Sequence, residues 1–244
     1  MIEVRGLHKR FGEVVAVDDV SFRAADGLVT GLLGPNGAGK TTSLRIISTL
    51  IAPDRGQAMV DGLDCAKESL AARRRMGVLP DARGLYPRLT PREHLAYFGQ
   101  LHGLTGEGLD RRSVELMKLL ELDGVADRRV EGFSNGERTK VALCRALVHD
   151  PPNVLLDEPT NGLDVMSTRA VRRLIKELRA KGRCVVFSSH VMQEVAALCD
   201  RIVVVAKGRV VADGTADELR ERTGKDNLEE AFVQVIGSDA GLMS

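Results

Sequence analysis

The sequence predicts an α/β fold, a mostly parallel sheet covered by helices and interrupted once by a purely helical stretch. Three observations carry this prediction. Continuous apolar runs at Val154-Leu155-Leu156, Cys184 to Phe187 and Ile202 to Val205 suit strands buried on both faces. Helical patterns, notably Thr168 to Lys181 and Val191 to Leu198, separate such runs. An apolar run over Val29 to Leu33 leads directly into a glycine-rich loop, and a helical pattern over Thr42 to Leu50 follows.

The remaining elements follow in chain order. Ile2 to Arg5, Val14 to Val17, Val20 to Arg23 and Ala58 to Val60 are short and rich in β-branched residues, which predicts strands. From about Pro91 to His149 the pattern is helical, with a loop expected over Gly103 to Gly108. Leu109 to Leu122 places Val114, Leu116, Met117, Leu119 and Leu120 at helix spacing. Phe133-Ser134-Asn135-Gly136-Glu137 opens a helix running to about His149, with Ser134 and Glu137 at capping-box spacing. Asn227 is positioned to cap a last helix beginning at Leu228. No internal repeat and no long low-complexity tract is present, and each motif occurs once, so the chain carries a single functional unit.

Composition bounds the function. The chain has 244 residues, 43% hydrophobic and 28% charged, ordinary for a globular protein. Its net charge of +1 gives no broad footprint for nucleic acid, so no nucleic-acid partner is expected. Arg73-Arg74-Arg75 reads as a solvated helix face. The four cysteines, at positions 65, 144, 184 and 199, lack the paired short spacing of a zinc site. Cys144, Cys184 and Cys199 lie in apolar patterns and are expected as buried free thiols of a reducing compartment. No segment approaches the length of a membrane span, and Met1-Ile2-Glu3-Val4-Arg5 reads as a strand rather than a signal peptide. A cytoplasmic protein is expected, with room for a membrane partner.

Gly34-Pro35-Asn36-Gly37-Ala38-Gly39-Lys40-Thr41 fits the phosphate-binding pattern Gly-x-x-x-x-Gly-Lys-Ser/Thr without a mismatch. Such a loop wraps a triphosphate with backbone N–H groups and aims a helix N-terminus at the negative charge. Gly34, Gly37 and Gly39 permit tight turns, Lys40 supplies a point charge for the outer phosphates, and the Thr41 hydroxyl suits Mg²⁺. Asn153 to Glu158 is an apolar strand ending in two carboxylates. Asp157 is placed to hold Mg²⁺ directly or through water, and Glu158 to act on a water molecule as general base. Ser134 with Gly136 reads equally well as a well-made helix start and as an anion site at a helix N-terminus.

Taken together, these motifs resemble the ATP-binding cassette (ABC) ATPases, the motor subunits of ABC transporters, over nearly the whole chain. The resemblance implies a P-loop NTPase of ABC type: a RecA-like mixed sheet core with an antiparallel β piece and an inserted α-helical subdomain. It implies one cassette over 1–244, with the core at 1–85 and 150–220. The helical subdomain falls at about 86–149 and a short helix and tail at 221–244. Phe11, in Lys9-Arg10-Phe11-Gly12, matches the aromatic that stacks on adenine. Pro35, Asn36, Ala38 and Thr42 join the phosphate loop, and Phe133 to Glu137 falls where the family's signature motif lies. Gly162-Leu163-Asp164 matches the loop linking two active sites, and His190 the histidine that contacts the terminal phosphate. The family's mechanism implies that two cassettes, alike or different, meet head to tail around ATP and Mg²⁺. Ser134 and Gly136 would then serve the partner's nucleotide. Closure and hydrolysis would drive integral-membrane permease subunits from the cytoplasmic face of the cell membrane.

The sequence departs from the family pattern at three positions. Asp81, ending Met76 to Asp81, stands where a Gln that touches Mg²⁺ is usual; a carboxylate also suits that ion. Asn135 replaces Gly and Glu137 replaces Gln in the signature, and Glu137 is expected to be held in the cap. With Lys40, Asp157, Glu158 and His190 present, hydrolysis is expected to be intact. The segment Asn227 to Phe232 is similar to the closing helix of cassettes serving ABC-2-type exporters, in particular the sodium-export (Nat-type) and drug-resistance groups. Export of Na⁺ is the first cargo this implies, with a drug or lipid as the alternative. A soluble ABC ATPase working on ribosomes or DNA is the reading from another class. The short helical insertion and the single cassette argue against it. A cassette that binds ATP without hydrolysing it is a third reading, supported by Asp81 and opposed by Glu158.

Overall fold

Two sheets and nine α-helices organise residues 1–240, the part of the chain this computed structural model describes. Positions 241–244 of the expected tail lie outside the described residues. The first sheet is antiparallel: β1 (Ile2–Phe11), β2 (Val14–Ala24), β4 (Arg55–Val60) and β5 (Leu63–Asp64), in the order β2-β1-β4-β5. The second contains β3 (Val29–Leu33), β6 (Met76–Leu79), β7 (Asn153–Leu156), β8 (Cys184–Ser189), β9 (Arg201–Ala206) and β10 (Arg209–Gly214). Its order is β10-β9-β3-β8-β7-β6, with every neighbouring pair parallel except β9 and β10.

The strands follow their composition. All residues of β3, β7 and β8 are buried, as continuous apolar runs require in a sheet covered on both faces. β1 instead buries Ile2, Val4 and Leu7 and leaves intervening residues more open, the pattern of a strand with one wet face. Two apolar cores result. Val29 and Leu33 of β3 point into the core under the helical layer, and Leu32 into the core shared with the antiparallel sheet. The phosphate loop thus leaves a strand that both cores grip.

The helices are α1 (Lys40–Ile47), α2 (Ser69–Arg74), α3 (Pro91–Leu101), α4 (Gly106–Leu119), α5 (Asn135–Leu147), α6 (Val165–Ala180), α7 (Met192–Leu198), α8 (Ala216–Thr223) and α9 (Leu228–Ala240). The stretch from α3 to α5 contains no strand among the described residues. α6 turns Ala170, Val171, Leu174, Ile175 and Leu178 inward, the stripe that a 3.6-residue period produces. Thr90–Glu93, Ser134–Glu137 and Thr215–Glu218 all form capping boxes.

Several elements differ from the sequence reading. Val14 to Val17 and Val20 to Arg23 are one strand, because Asp19 (φ +68°) is the extra residue of a bulge between the pairs His8–Asp18 and Leu7–Val20. The loop expected over Gly103 to Gly108 ends early, since α4 starts at Gly106. Val114, placed on the apolar stripe of that helix, is 50% exposed; Leu109, Leu116 and Met117 form the buried face. Four elements had not been anticipated, β5, β6, β10 and α8, and of α2 only the arginine face at its end had been read. Of the cysteines, Cys65, Cys144 and Cys184 are buried and Cys199 is partly exposed; all are free thiols. Burial pushes the Cys184 thiol up to about 11 and the Cys65 thiol to about 12, so neither is a nucleophile.

Candidate functional site

The phosphate loop spans the gap between β3 and α1, and its glycines serve the fold as well as a ligand. A Cβ on Gly34 would lie 2.1 Å from the Val205 carbonyl oxygen. At Gly39, φ is +103° and a Cβ would lie 2.5 Å from the Ala16 carbonyl oxygen. The loop is therefore wedged against β9 and β2, and no side chain fits at either position. Gly39 is also the N-cap of α1, which has no side-chain cap and no acidic residue in its first turn. Its leading N–H groups and the positive end of its dipole point to an anion.

Lys40 is buried, and its Nζ donates to the carbonyl oxygens of Gly34 (2.6 Å) and Pro35 (3.1 Å). Its ammonium also lies 3.7 Å from Glu158 Oε1. Burial lowers its pKa, and the carboxylates of Glu158 and Asp157 act in the opposite sense. The loop thus holds its own cation in place at the mouth of α1.

Asp157 follows β7 directly and is 4% exposed. Its Oδ1 accepts from the Thr41 hydroxyl (3.0 Å) and from the Ser188 hydroxyl (2.6 Å). Both hydroxyls use one oxygen, so Oδ2 takes no hydrogen bond among the described residues. A hydroxyl and a carboxylate side by side form a hard oxygen set, which suits Mg²⁺ rather than a softer metal. Among the described residues, no hydrogen bond joins Asp81 to that pair. Asp81 is exposed, and the bond made at that residue is to its backbone oxygen, from Arg83 Nη1 at 2.9 Å.

Glu158 is the next residue along, with φ +46°, a left-handed conformation uncommon for any side chain other than glycine. Its N–H donates to the Ser188 hydroxyl (2.9 Å), and its Oε2 lies 3.0 Å from His190 Nδ1. Lys40, Asp157, Glu158 and His190 therefore converge from α1, β7 and the end of β8. Ser188 joins them, a residue the sequence reading did not single out. Its signal was present in the run Phe187-Ser188-Ser189, where hydroxyls replace apolar residues at the end of a buried strand. Such a cluster can grip a polyphosphate, offer oxygens to a divalent cation and present a carboxylate to a water molecule.

Phe11 ends β1, is 50% exposed, and has the Lys9 ammonium 5.7 Å from its ring centroid. An exposed aromatic ring of this kind is a surface on which a base stacks.

Ser134, Gly136 and Asp164 form a second group. Ser134 caps α5: its hydroxyl accepts from Glu137 N–H (3.2 Å), and its own N–H donates to Glu137 Oε2 (2.8 Å). Glu137 is further held by Arg128 at 2.6 Å. Against burial, the Ser134 bonds and the Arg128 cation keep its carboxyl below the usual range. Asp164 caps α6 through the Ser167 N–H (2.9 Å) and hydroxyl (2.8 Å), which hold its carboxyl low as well. A Cβ on Gly136 would lie 2.2 Å from Ser167 Oγ, and Asn135 Nδ2 donates to the Gly162 carbonyl (3.2 Å). The starts of α5 and α6 are thus packed together. Among the described residues, no hydrogen bond or ion pair joins Ser134, Gly136 or Asp164 to Lys40, Thr41, Asp157, Glu158 or His190.

This geometry agrees with what known proteins resemble the chain. Residues 17–161 match the ABC transporter family. The ABC transporter ATP-binding protein NatA of Bacillus subtilis is 42% identical over 97% of this chain and 98% of its own length. The linearmycin resistance ATP-binding protein LnrL of the same organism is 36% identical over 97% of this chain and 76% of its own. The daunorubicin resistance ATP-binding protein DrrA3 of Streptomyces coeruleorubidus is 40% identical over 93% and 72%. Among solved structures, the ATP-binding subunit of an ABC transporter superposes with TM-score 0.89 at 31% identity, covering 96% of this chain and 99% of that one. An ATP-binding cassette solved as a post-hydrolysis dimer with ADP and Pi superposes with TM-score 0.80 at 27% identity, over 88% and 98%. The phosphate loop, the paired carboxylates and these relatives agree: the chain belongs to the ABC transporter family, as an ATP-binding and ATP-hydrolysing cassette of the exporter type.

Proposed function

We propose that the cassette works as a head-to-tail dimer that closes on two ATP molecules. The observation that carries this reading is the division of the candidate residues into two separate groups. Lys40, Thr41, Asp157, Glu158 and His190 hold the phosphates of one ATP, with Phe11 against its base. Ser134 and Gly136 of the partner cassette cover the same nucleotide, and Asp164 stiffens the loop between the sites. The dimer with ADP and Pi among the structural neighbours supports this arrangement for the family.

In this reading Lys40 exchanges its loop carbonyls for phosphate oxygens. Thr41 and Asp157 would hold Mg²⁺, with Asp81 as a further candidate carboxylate; the ion would neutralise phosphate charge when bound. Glu158 accepts a proton from the attacking water as the water oxygen bonds to phosphorus and ADP leaves. His190, hydrogen-bonded to Glu158, donates to the terminal phosphate. Permease subunits in the membrane are the partners, which puts the cassette at the cytoplasmic face. Na⁺ is the first cargo to test, because the sequence most resembles the sodium-export group. Relatives named for linearmycin and daunorubicin resistance favour a drug as the second.

The decisive test pairs turnover with assembly. Glu158→Gln is expected to abolish ATP hydrolysis and to run as an ATP-dependent dimer in gel filtration. Turnover retained in that variant defeats the assignment of the base, and a monomer at saturating ATP defeats the composite site. Flux of ²²Na⁺ and of an anthracycline into inverted vesicles carrying the assembled transporter separates the two cargoes.

A further inference from the structure

Behind the nucleotide-facing residues lies a buried carboxylate. Glu194 of α7 is 6% exposed, an uncommon place for a glutamate. Its Oε2 accepts a short hydrogen bond from the Thr160 hydroxyl, and its Oε1 lies 3.4 Å from Arg172 Nη2 of α6. Thr160 is two residues beyond Glu158, and Glu194 is four beyond His190. Segments 158–160 and 190–194 are therefore joined twice, at the surface by His190 and Glu158, and beneath it by Glu194 and Thr160.

The segment after Glu158 needs such an anchor. It is built of two consecutive turns, closed by Asn161 N–H to the Glu158 carbonyl (3.2 Å) and Leu163 N–H to the Thr160 carbonyl (3.2 Å). Glu158 holds φ +46° directly before Pro159, where the chain ordinarily prefers an extended conformation. A conformation of that kind persists only where its surroundings over-determine it. α7 is equally short of local support, since its N-cap Val191 offers no side-chain bond. A buried carboxylate is a costly way to pack a helix unless its hydrogen bonds fix something that apolar contacts do not.

We propose that Glu194 and Thr160 are positioning residues for hydrolysis: their bond sets the spacing of Glu158 and His190 and anchors the start of the 159–164 loop. The inference rests on the roles given above to Glu158 and His190. It places the control of that pair in a contact that touches neither nucleotide nor metal.

The test uses the full-length chain with Thr160→Val, Thr160→Ser, Glu194→Ala and the Thr160→Val/Glu194→Ala double variant. Thr160→Val keeps the side-chain volume and removes only the donor, so it guards against a variant that fails to fold. Thr160→Val and Glu194→Ala are expected to lower kcat roughly ten-fold or more, the scale that small misplacements of catalytic groups produce. KM for ATP and equilibrium binding of a fluorescent ATP analogue stay within about two-fold, because the phosphate loop is untouched. Thr160→Ser restores kcat, and the double variant is no slower than the slower single one. A kcat within two-fold of the parent in Thr160→Val, a loss confined to KM, or additive losses in the double variant each overturn the proposal. If Glu158→Gln is inactive while Thr160→Val is fully active, this inference alone fails. If Glu158→Gln is active, the underlying reading fails with it.

Discussion

Replacing Ser188 by alanine isolates one hydroxyl on which two acidic residues depend. Ser188 is fully buried in β8, donates to Asp157 Oδ1 at 2.6 Å and accepts from Glu158 N–H at 2.9 Å. The substitution removes a hydrogen bond to a carboxylate, a class of bond that contributes about 1.5–3 kcal/mol. It also strands the Glu158 N–H, at a cost of about 1–3 kcal/mol. Asp157 keeps its bond from Thr41, and the two losses share one atom, so a total of roughly 2–4 kcal/mol is expected rather than the full sum. For a chain of 244 residues this corresponds to a fall in Tm of roughly 4–16 °C. Thermal unfolding followed by circular dichroism, with ATP turnover measured well below Tm, reads both consequences. Turnover should fall along with stability, because Glu158 loses the bond that holds its strained backbone. A Tm within about 2 °C of the parent together with unchanged turnover refutes the reasoning, since the hydroxyl would then hold neither residue.

Two further outcomes follow from the geometry. Gly136→Ala places a Cβ 2.2 Å from Ser167 Oγ and 3.1 Å from Asp164 Oδ2. In a Glu158→Gln background it is expected to abolish the ATP-dependent dimer while the monomer still binds nucleotide, which gel filtration and equilibrium binding check separately. His149 stacks face to face on His102 at 3.6 Å, and burial, with His102 beside it, pushes its pKa down to about 4. The folded chain then resists the proton that the unfolded chain accepts near pH 6.5, so stability present above that pH is lost as pH falls towards 4. The loss amounts to about 2–3 kcal/mol. His149→Phe should flatten the fall of Tm between pH 7 and 5; equal slopes in parent and variant count against it.

The fold was legible where local chemistry and burial agree. Val29 to Leu33, Val154 to Leu156 and Cys184 to Phe187 are apolar throughout because both faces of their sheet are covered, and all were readable as strands. β6 was not, because four residues between an arginine-rich helix and Pro80 carry too short a pattern, and pairing with β7 decides their conformation. β10 and α8 did leave signals. Lys207-Gly208, both at positive φ, is a two-residue hairpin turn, and Thr215-Ala-Asp-Glu218 is a capping box. The candidate site divides in the same way. Its loop and carboxylates are contiguous motifs, each readable in one place. Ser188, Thr160 and Glu194 matter through contacts between segments 30 to 34 positions apart, and no single-chain pattern records such pairs.

The strand below the phosphate loop sends Leu32 into one apolar core and Leu33 into the other. A ligand seated on that loop is therefore a noncovalent cross-link between two separately packed halves. Its binding free energy adds to the stability of both, by mass action on the folded state. Nucleotide occupancy and the cohesion of the molecule become one thermodynamic quantity, and a cassette kept loaded resists unfolding at the junction where it does its work.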